Sequence, residues 1–378
     1  MNFEKIADYL DSVTKEYGIP SVDCIITKNH QQLFRHMCGT VDADGLIPVS
    51  EDTQYLVFSM TKIQTMTAVM QLVERGVLSL SDEVSKYLPA YGSLTVKEMT
   101  ADGEKVVKAK TPMLMKHLVS MQSGLDYDLQ RGGISRILAE RGEQTTTREL
   151  VDAMAEGPLC FQPGEHFLYS LSHDVAAAVV EVVSGMRYEE YLRKNIWEPL
   201  GMKNTFFFRR NEPVSKLAQQ YIMDEQGVHT MENDCNYQLS NDYESGGAGL
   251  VSCTEDYATL ADAIACGGTG RNGAVILKPE TVDIMKTNLL SEQGRKDIAA
   301  TMGRTGYGYG CGMQILMEPE RIGASAPAGV FGWDGAAGSC TIMDKASGTS
   351  LVFLMHVRNC GPAYGIIHPR LRDFLFED

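Results

Sequence analysis

Tyr55-Leu56-Val57-Phe58-Ser59-Met60-Thr61-Lys62 is the stretch on which the reading turns, because an extended apolar run passes there into a helical pattern. After Ser59, the residues Met60, Ile63, Met66, Thr67, Met70 and Val73 recur at three- and four-residue spacing, which predicts a helix with one buried face. A serine and a lysine three apart on that helix lie side by side. With the helix starting at Ser59, both sit at its positive end, which disfavours an ammonium by up to about 2 kcal/mol when partly buried. Burial pushes the same way, toward a neutral amine. A neutral lysine accepts a serine proton, and a serine so paired is a nucleophile.

The four-residue pattern alone carries little weight, since Ser12-Val13-Thr14-Lys15 repeats it. That copy falls in an N-terminal helix over residues 1–18, with Phe3, Ile6, Ala7, Leu10 and Val13 on the apolar stripe and Ser12 and Lys15 off it. Ser59 is distinguished by two later segments. In Phe161 to Ser172, Pro163-Gly164 makes a turn and Tyr169 stands at the boundary before a helix. A phenol there can relay a proton if a cation nearby lowers its pKa. In Phe331-Gly332-Trp333-Asp334-Gly335-Ala336-Ala337-Gly338-Ser339 the glycines allow close backbone approach. Backbone N–H groups on such an edge can form an oxyanion hole. Gly306 to Gly312 is glycine-rich but lacks the strand-then-helix setting of a phosphate loop and reads as a strand. No Gly-x-Ser-x-Gly elbow occurs, which disfavours an α/β-hydrolase. His117, His166 and His173 have no partner at ligand spacing and read as structural.

The 378 residues are 44% apolar and 22% charged, enough for a large core and one to three structural domains. The net charge of −15 argues against nucleic acid and anionic membrane surfaces. No run approaches the roughly 20 apolar residues of a membrane helix. The start, Met1-Asn2-Phe3-Glu4-Lys5, has neither a basic nor an apolar signal region. Nine cysteines with no Cys-x-x-Cys pair suggest free thiols in a reducing compartment. The expectation is a cytoplasmic, soluble protein that needs no metal or organic cofactor.

Along the chain, strands are expected over 22–26 and 33–37, with Ser81 capping a short helix through Tyr87. From about 110 to 235 the pattern is mainly helical, clearest over 111–122, 147–156, 173–184 and 187–197. Residues 339–343 and 349–357 form a hairpin around Asp344-Lys345-Ala346-Ser347-Gly348. Strands at both ends and helices between them imply an α+β fold. In it, 1–90 and 240–378 form a sheet domain carrying the nucleophile, and 91–239 form an inserted helical domain.

Taken in order, these segments resemble the serine β-lactamase/penicillin-binding protein superfamily, above all its class C-like branch and the family VIII carboxylesterases. Leu80-Ser81-Asp82-Glu83-Val84-Ser85-Lys86-Tyr87-Leu88-Pro89 is similar to the segment after the nucleophile helix of that family. Lys116 to Leu125 is similar to the stretch "HLLTHTSGL", and Ser245 to Tyr257 to "GGAGLVSTAxDY". The resemblance implies an antiparallel sheet flanked by helices beside a helical domain, with the site between them. It also implies Ser59 as nucleophile, Lys62 as its base, Tyr169 as the tyrosine of the second motif, and an oxyanion hole from the N–H groups of Ser59 and Ala336. Trp333-Asp334-Gly335 falls where β-lactamases carry Lys-Thr-Gly. Leu171 replaces the asparagine of Tyr-x-Asn and cannot hydrogen-bond an acylamide. Trp333 replaces the lysine that holds a substrate carboxylate, and Asp334 places an acid near the cleft. Leu171, Trp333, Asp334 and Gly335 are therefore expected to face substrate, with Arg358 the one nearby cation for a carboxylate. The expected activity is a serine hydrolase acting on small acyl esters through an acyl-Ser59 intermediate, or on a β-lactam-like substrate. The alternatives are a β-lactamase or D,D-peptidase and a sensor that acylates without turnover.

Overall fold

Chain ends that alternate apolar and β-branched residues need a partner sheet, and here the two ends build one together. The computed structural model describes residues 1–101 and 103–377. Its main sheet runs, from one edge, Tyr307–Tyr309, Gln314–Leu316, Phe331–Asp334, Cys340–Asp344, Thr349–Leu354, Ser21–Lys28 and Gln31–Gly39, every neighbour antiparallel. Strands from residues 21–39 thus complete a sheet begun 300 residues later. The helices Phe3–Tyr17 and His368–Phe374 share a core with one face of this sheet. Thr254–Ala265 packs against the other. The expected hairpin forms, with Asp344 paired to Thr349 and its carboxylate holding the Ser347 N–H inside the turn.

The segment around Ser59 departs from expectation in two ways. Ser59 lies in a single 3₁₀ turn, Phe58–Met60, ahead of the α-helix Thr61–Glu74 rather than at its first residue. That helix is buried all round from Thr61 to Leu72, not on one face. Its polar residues bond to neighbouring elements: Gln64 accepts from the Trp197 indole, and the Gln71 amide N–H groups donate to two backbone carbonyls. A helix with no solvent face belongs at the centre of a molecule. The helix Ser172–Ser184 packs against it.

Other elements also differ. Ser81 caps nothing; a 3₁₀ turn forms at Val84–Lys86, with Glu83 at its start. The helix expected over 111–122 shrinks to Met115–Val119, because Pro112 disfavours helix before it and Met121 has φ +58°. The helix at 187–197 widens after Leu192 into a π turn, Arg193–Trp197. Within the region expected to be helical, Tyr221–Asp224 and Gly227–Thr230 form a hairpin, and Tyr221–Asp224 pairs in parallel with Val357–Arg358. The strand expected through residue 357 therefore breaks after Leu354 and restarts in a different sheet. Ser12 donates to the Tyr9 carbonyl at 2.7 Å, the ordinary role of a helical serine.

Candidate active site

Two backbone approaches build the site. The strand Gln54–Leu56 pairs with Leu250–Cys253, drawing the glycines Gly246 and Gly247 toward the turn that holds Ser59. On the other side, the end of Phe331–Asp334 meets that turn so closely that a Cβ on Gly335 would lie 2.4 Å from the Val57 carbonyl oxygen. Only glycine permits this approach. Gly335 donates to the Ser339 carbonyl at 2.8 Å and accepts from the Tyr364 hydroxyl at 2.9 Å, so the turn is held from both sides. The Ala336 N–H beside it has no hydrogen-bond partner among the described residues. Ser59 itself is half-buried, and the preceding Phe58 is fully buried with φ +44°. Positive φ at a bulky residue is strained, and such strain concentrates at functional sites.

Lys62 is wholly buried, and its Nζ lies 3.2 Å from Ser59 Oγ, 2.9 Å from the Tyr127 hydroxyl and 2.7 Å from the Gly247 carbonyl oxygen. Burial lowers its pKa to about 7, partly opposed by the charges of Asp174 and Asp334. A neutral amine has two N–H groups and one lone pair. The Gly247 carbonyl takes one N–H and the Tyr127 oxygen can take the other, leaving the lone pair for the Ser59 proton. The arrangement is that of a general base poised near neutral pH.

Tyr169 is brought to the same place but not in the expected manner. Lys62 Nζ sits over its ring, 4.6 Å from the centroid, rather than on its hydroxyl. The hydroxyl accepts from Trp333 Nε1 at 2.9 Å and also meets Ser59. Burial raises its pKa well above the usual phenol value, and the bonds to Ser59 and Trp333 oppose this without reversing it. The phenolate relay expected from a neighbouring cation is therefore replaced by a neutral phenol.

The residues expected to face substrate divide. Leu171 is 2% exposed and belongs to the main core. Trp333 is equally enclosed, its ring 5.4 Å from Tyr169 and 5.1 Å from Tyr309; it orients the tyrosine through its indole N–H. Asp334 is not a free acid beside the cleft, because Arg304 forms an ion pair with it. Arg304 also means that Arg358 is not the one nearby cation. Arg358 lies over the Phe58 ring at 5.0 Å and donates to Asn236 Oδ1 at 3.0 Å. Tyr127 and Arg304 are not singled out by the sequence. Tyr127 stands two residues past Leu125, the end of one recognised stretch, which is the signal that points to it. Groups of metal-ligand type occur elsewhere, His30 with Asp262 and Cys266, and Asp11 with His36 and Cys38. In both, the histidine is hydrogen-bonded to the aspartate, at 2.8 and 2.7 Å.

Comparison with known proteins gives a consistent answer. The family profile described as Beta-lactamase matches residues 6–365. Esterase EstB of Burkholderia gladioli is 27% identical over 97% of this chain and 93% of its own length. Acyltransferase calJ of Penicillium decumbens is 28% identical over 78% of this chain and 73% of its own. Among solved structures, EstCE1, described as a hydrolase with promiscuous acyltransferase activity, superposes with a TM-score of 0.82 at 24% identity, covering 99% of this chain and 98% of that one.

Proposed function

This chain belongs to the beta-lactamase family, and we propose that within it the protein is a carboxylesterase acting on small acyl esters through an acyl-Ser59 intermediate. The observation that carries this reading is the buried Lys62 amine, 3.2 Å from Ser59 Oγ with a pKa near 7. As Ser59 Oγ bonds to the ester carbonyl carbon, its proton passes to Lys62 Nζ. The carbonyl oxygen becomes an oxyanion held by the N–H groups of Ser59 and Ala336. A donor of this kind is typically worth about 10²–10³ in rate. The C–O bond to the alcohol then breaks, and the leaving oxygen takes the proton from Lys62. Water gives its proton to the same amine as its oxygen attacks the acyl carbon; the acyl C–O bond to Ser59 then breaks, Ser59 Oγ takes the proton back from Lys62, and the acid is released. Tyr127 steadies the amine, and Tyr169, held by Trp333, hydrogen-bonds the serine oxygen.

A neutral ester fits the surroundings better than a β-lactam. Leu171 offers no amide, Trp333 carries no charge, and Asp334 is neutralised by Arg304. EstB, named an esterase, supports the same choice. A second reading, transfer of the acyl group to an alcohol in place of water, is favoured by the relative named an acyltransferase. The cysteines of the described residues are all free, which fits a reducing, cytoplasmic setting. No described helix is long and apolar enough to cross a membrane.

The test is hydrolysis of short p-nitrophenyl esters and of a chromogenic cephalosporin by wild type and Ser59→Ala. Ester turnover that vanishes in Ser59→Ala, with little cephalosporin cleavage, is the expected result. Faster product release on adding a primary alcohol, with the new ester formed, would establish the transfer reading. Efficient cephalosporin cleavage would overturn the substrate choice, and full activity in Ser59→Ala would overturn the mechanism.

A further inference from the structure

We propose that Asp174 is the positioning residue for the base: through the backbone of Gly247 it holds the Lys62 amine against Ser59. The inference rests on the reading of Ser59 and Lys62 given above.

Asp174 lies in the first turn of the helix Ser172–Ser184, where a carboxylate interacts favourably with the helix dipole. That role would suit an exposed side chain, yet Asp174 is fully buried. Its Oδ1 accepts three bonds, from the Tyr243 hydroxyl at 2.7 Å, Ser245 Oγ at 2.6 Å and the Gly247 N–H at 3.2 Å. Its Oδ2 has no hydrogen-bond partner among the described residues. Among the described residues, no lysine, arginine or histidine forms an ion pair with it. A buried carboxylate without a cation is costly. The cation that feels it is Lys62, one peptide unit away: Gly247 donates its N–H to Asp174 and offers its carbonyl to Lys62 Nζ at 2.7 Å.

Gly247 leaves no slack in this relay. A Cβ on it would lie 2.6 Å from Asp174 Oδ2 and 3.2 Å from the Tyr127 hydroxyl, the second group bonded to Lys62. Peptide, carboxylate and phenol therefore pack as one unit around the amine. The ionisable groups that face Lys62 are Tyr127 and Tyr169 from their loops, His173 and Asp174 from the helix Ser172–Ser184, and Asp334 from its strand. Asp334 is already paired with Arg304. Asp174 is thus the acidic group on this list whose charge no other cation answers.

The effect on the base follows. A negative charge near Lys62 favours its protonated form, so Asp174 opposes the effect of burial. D174N keeps the shape and an acceptor for the Gly247 N–H but removes the charge. Its kcat/KM against p-nitrophenyl acetate should then hold to lower pH, with the acid-side limb displaced downward by on the order of one pH unit. Asp174→Ala removes the anchor as well and should lose on the order of 10²-fold in kcat, with KM little changed. Both variants would be checked by circular dichroism and thermal melting. Should Asp174→Ala fail to fold, the D174N pH profile decides alone. An acid limb in D174N that coincides with wild type overturns the proposal, because a merely structural aspartate would leave the limb in place. Ser59→Ala run in parallel separates the two failures: residual activity there would sink the nucleophile, not the relay.

Discussion

Lys62 shows how one residue acquires its chemistry from where its side chain ends. In water its amine is protonated at any physiological pH. Buried against a carbonyl and two hydroxyls, it titrates near 7. The proton must be off for the amine to act, so kcat/KM for esters should rise with pH through about 7 and level off above it. A steady-state pH profile measures this, and a flat profile from pH 5 to 8 would contradict it. Lys62→Arg keeps the charge but cannot lose the proton, and should cost on the order of 10²–10⁴-fold. Tyr127→Phe removes one partner of the amine; a loss of about 1 kcal/mol, or roughly five- to tenfold in kcat/KM, is expected.

At the scale of elements, the site exists because two strand ends and a 3₁₀ turn meet where side chains are absent. Gly335 carries that meeting on the side of the proposed oxyanion hole. Gly335→Ala would force a Cβ to within 2.4 Å of the Val57 carbonyl, so the strand end must retreat and take the Ala336 N–H with it. We expect a destabilisation of about 1–3 kcal/mol and a loss of up to about 10²-fold in ester turnover. Gly365→Ala, where a Cβ meets nothing within 4 Å, serves as the control and should behave as wild type. Equal effects of the two substitutions, measured by urea unfolding and by turnover, would refute the close-approach argument.

At the scale of the molecule, polar groups locked neutral in the interior couple stability to pH. His356 is buried, with Nδ1 donating to the Ala218 carbonyl and Nε2 bonded to the Gln220 amide. His117 accepts the Leu114 N–H. Burial lowers both from 6.5 to about 4. The unfolded chain then binds protons that the folded one refuses, so their stabilisation is complete above about 6.5 and is lost as pH falls toward 4. Glu181 works in the opposite sense: burial raises it from 4.5 to about 7, and its contribution is present at low pH and lost as pH rises through 7. Comparison with a variant isolates one group. The stability gap between wild type and His356→Gln should narrow on acidification from 6.5 to 4, by up to about 1.4 kcal/mol per pH unit. A gap independent of pH in urea titrations would show that His356 is not held neutral.

The local grammar of the chain carries much of this. Apolar spacing after Ser59, the turn at Asp344 to Gly348, and the glycine at 335 are all local signals, because helix period, turn chemistry and close approach depend on a few neighbouring residues. They set Lys62 on a helix and Gly335 just past a strand end, while Ser59 falls in the 3₁₀ turn ahead of that helix. What the tertiary structure decides is which groups meet. Tyr127 rather than the Tyr169 hydroxyl bonds to the lysine, Arg304 neutralises Asp334, and Leu171 turns into the core. Each pairing spans dozens of residues or follows from the direction of one side chain at an element boundary, and no local period encodes either. The hairpin Tyr221–Thr230 escaped for the same reason: one of its strands completes its pairing with Val357–Arg358, more than a hundred residues away. Burial, which lowers the pKa of Lys62, is a property of the assembled core and so belongs to the fold as a whole.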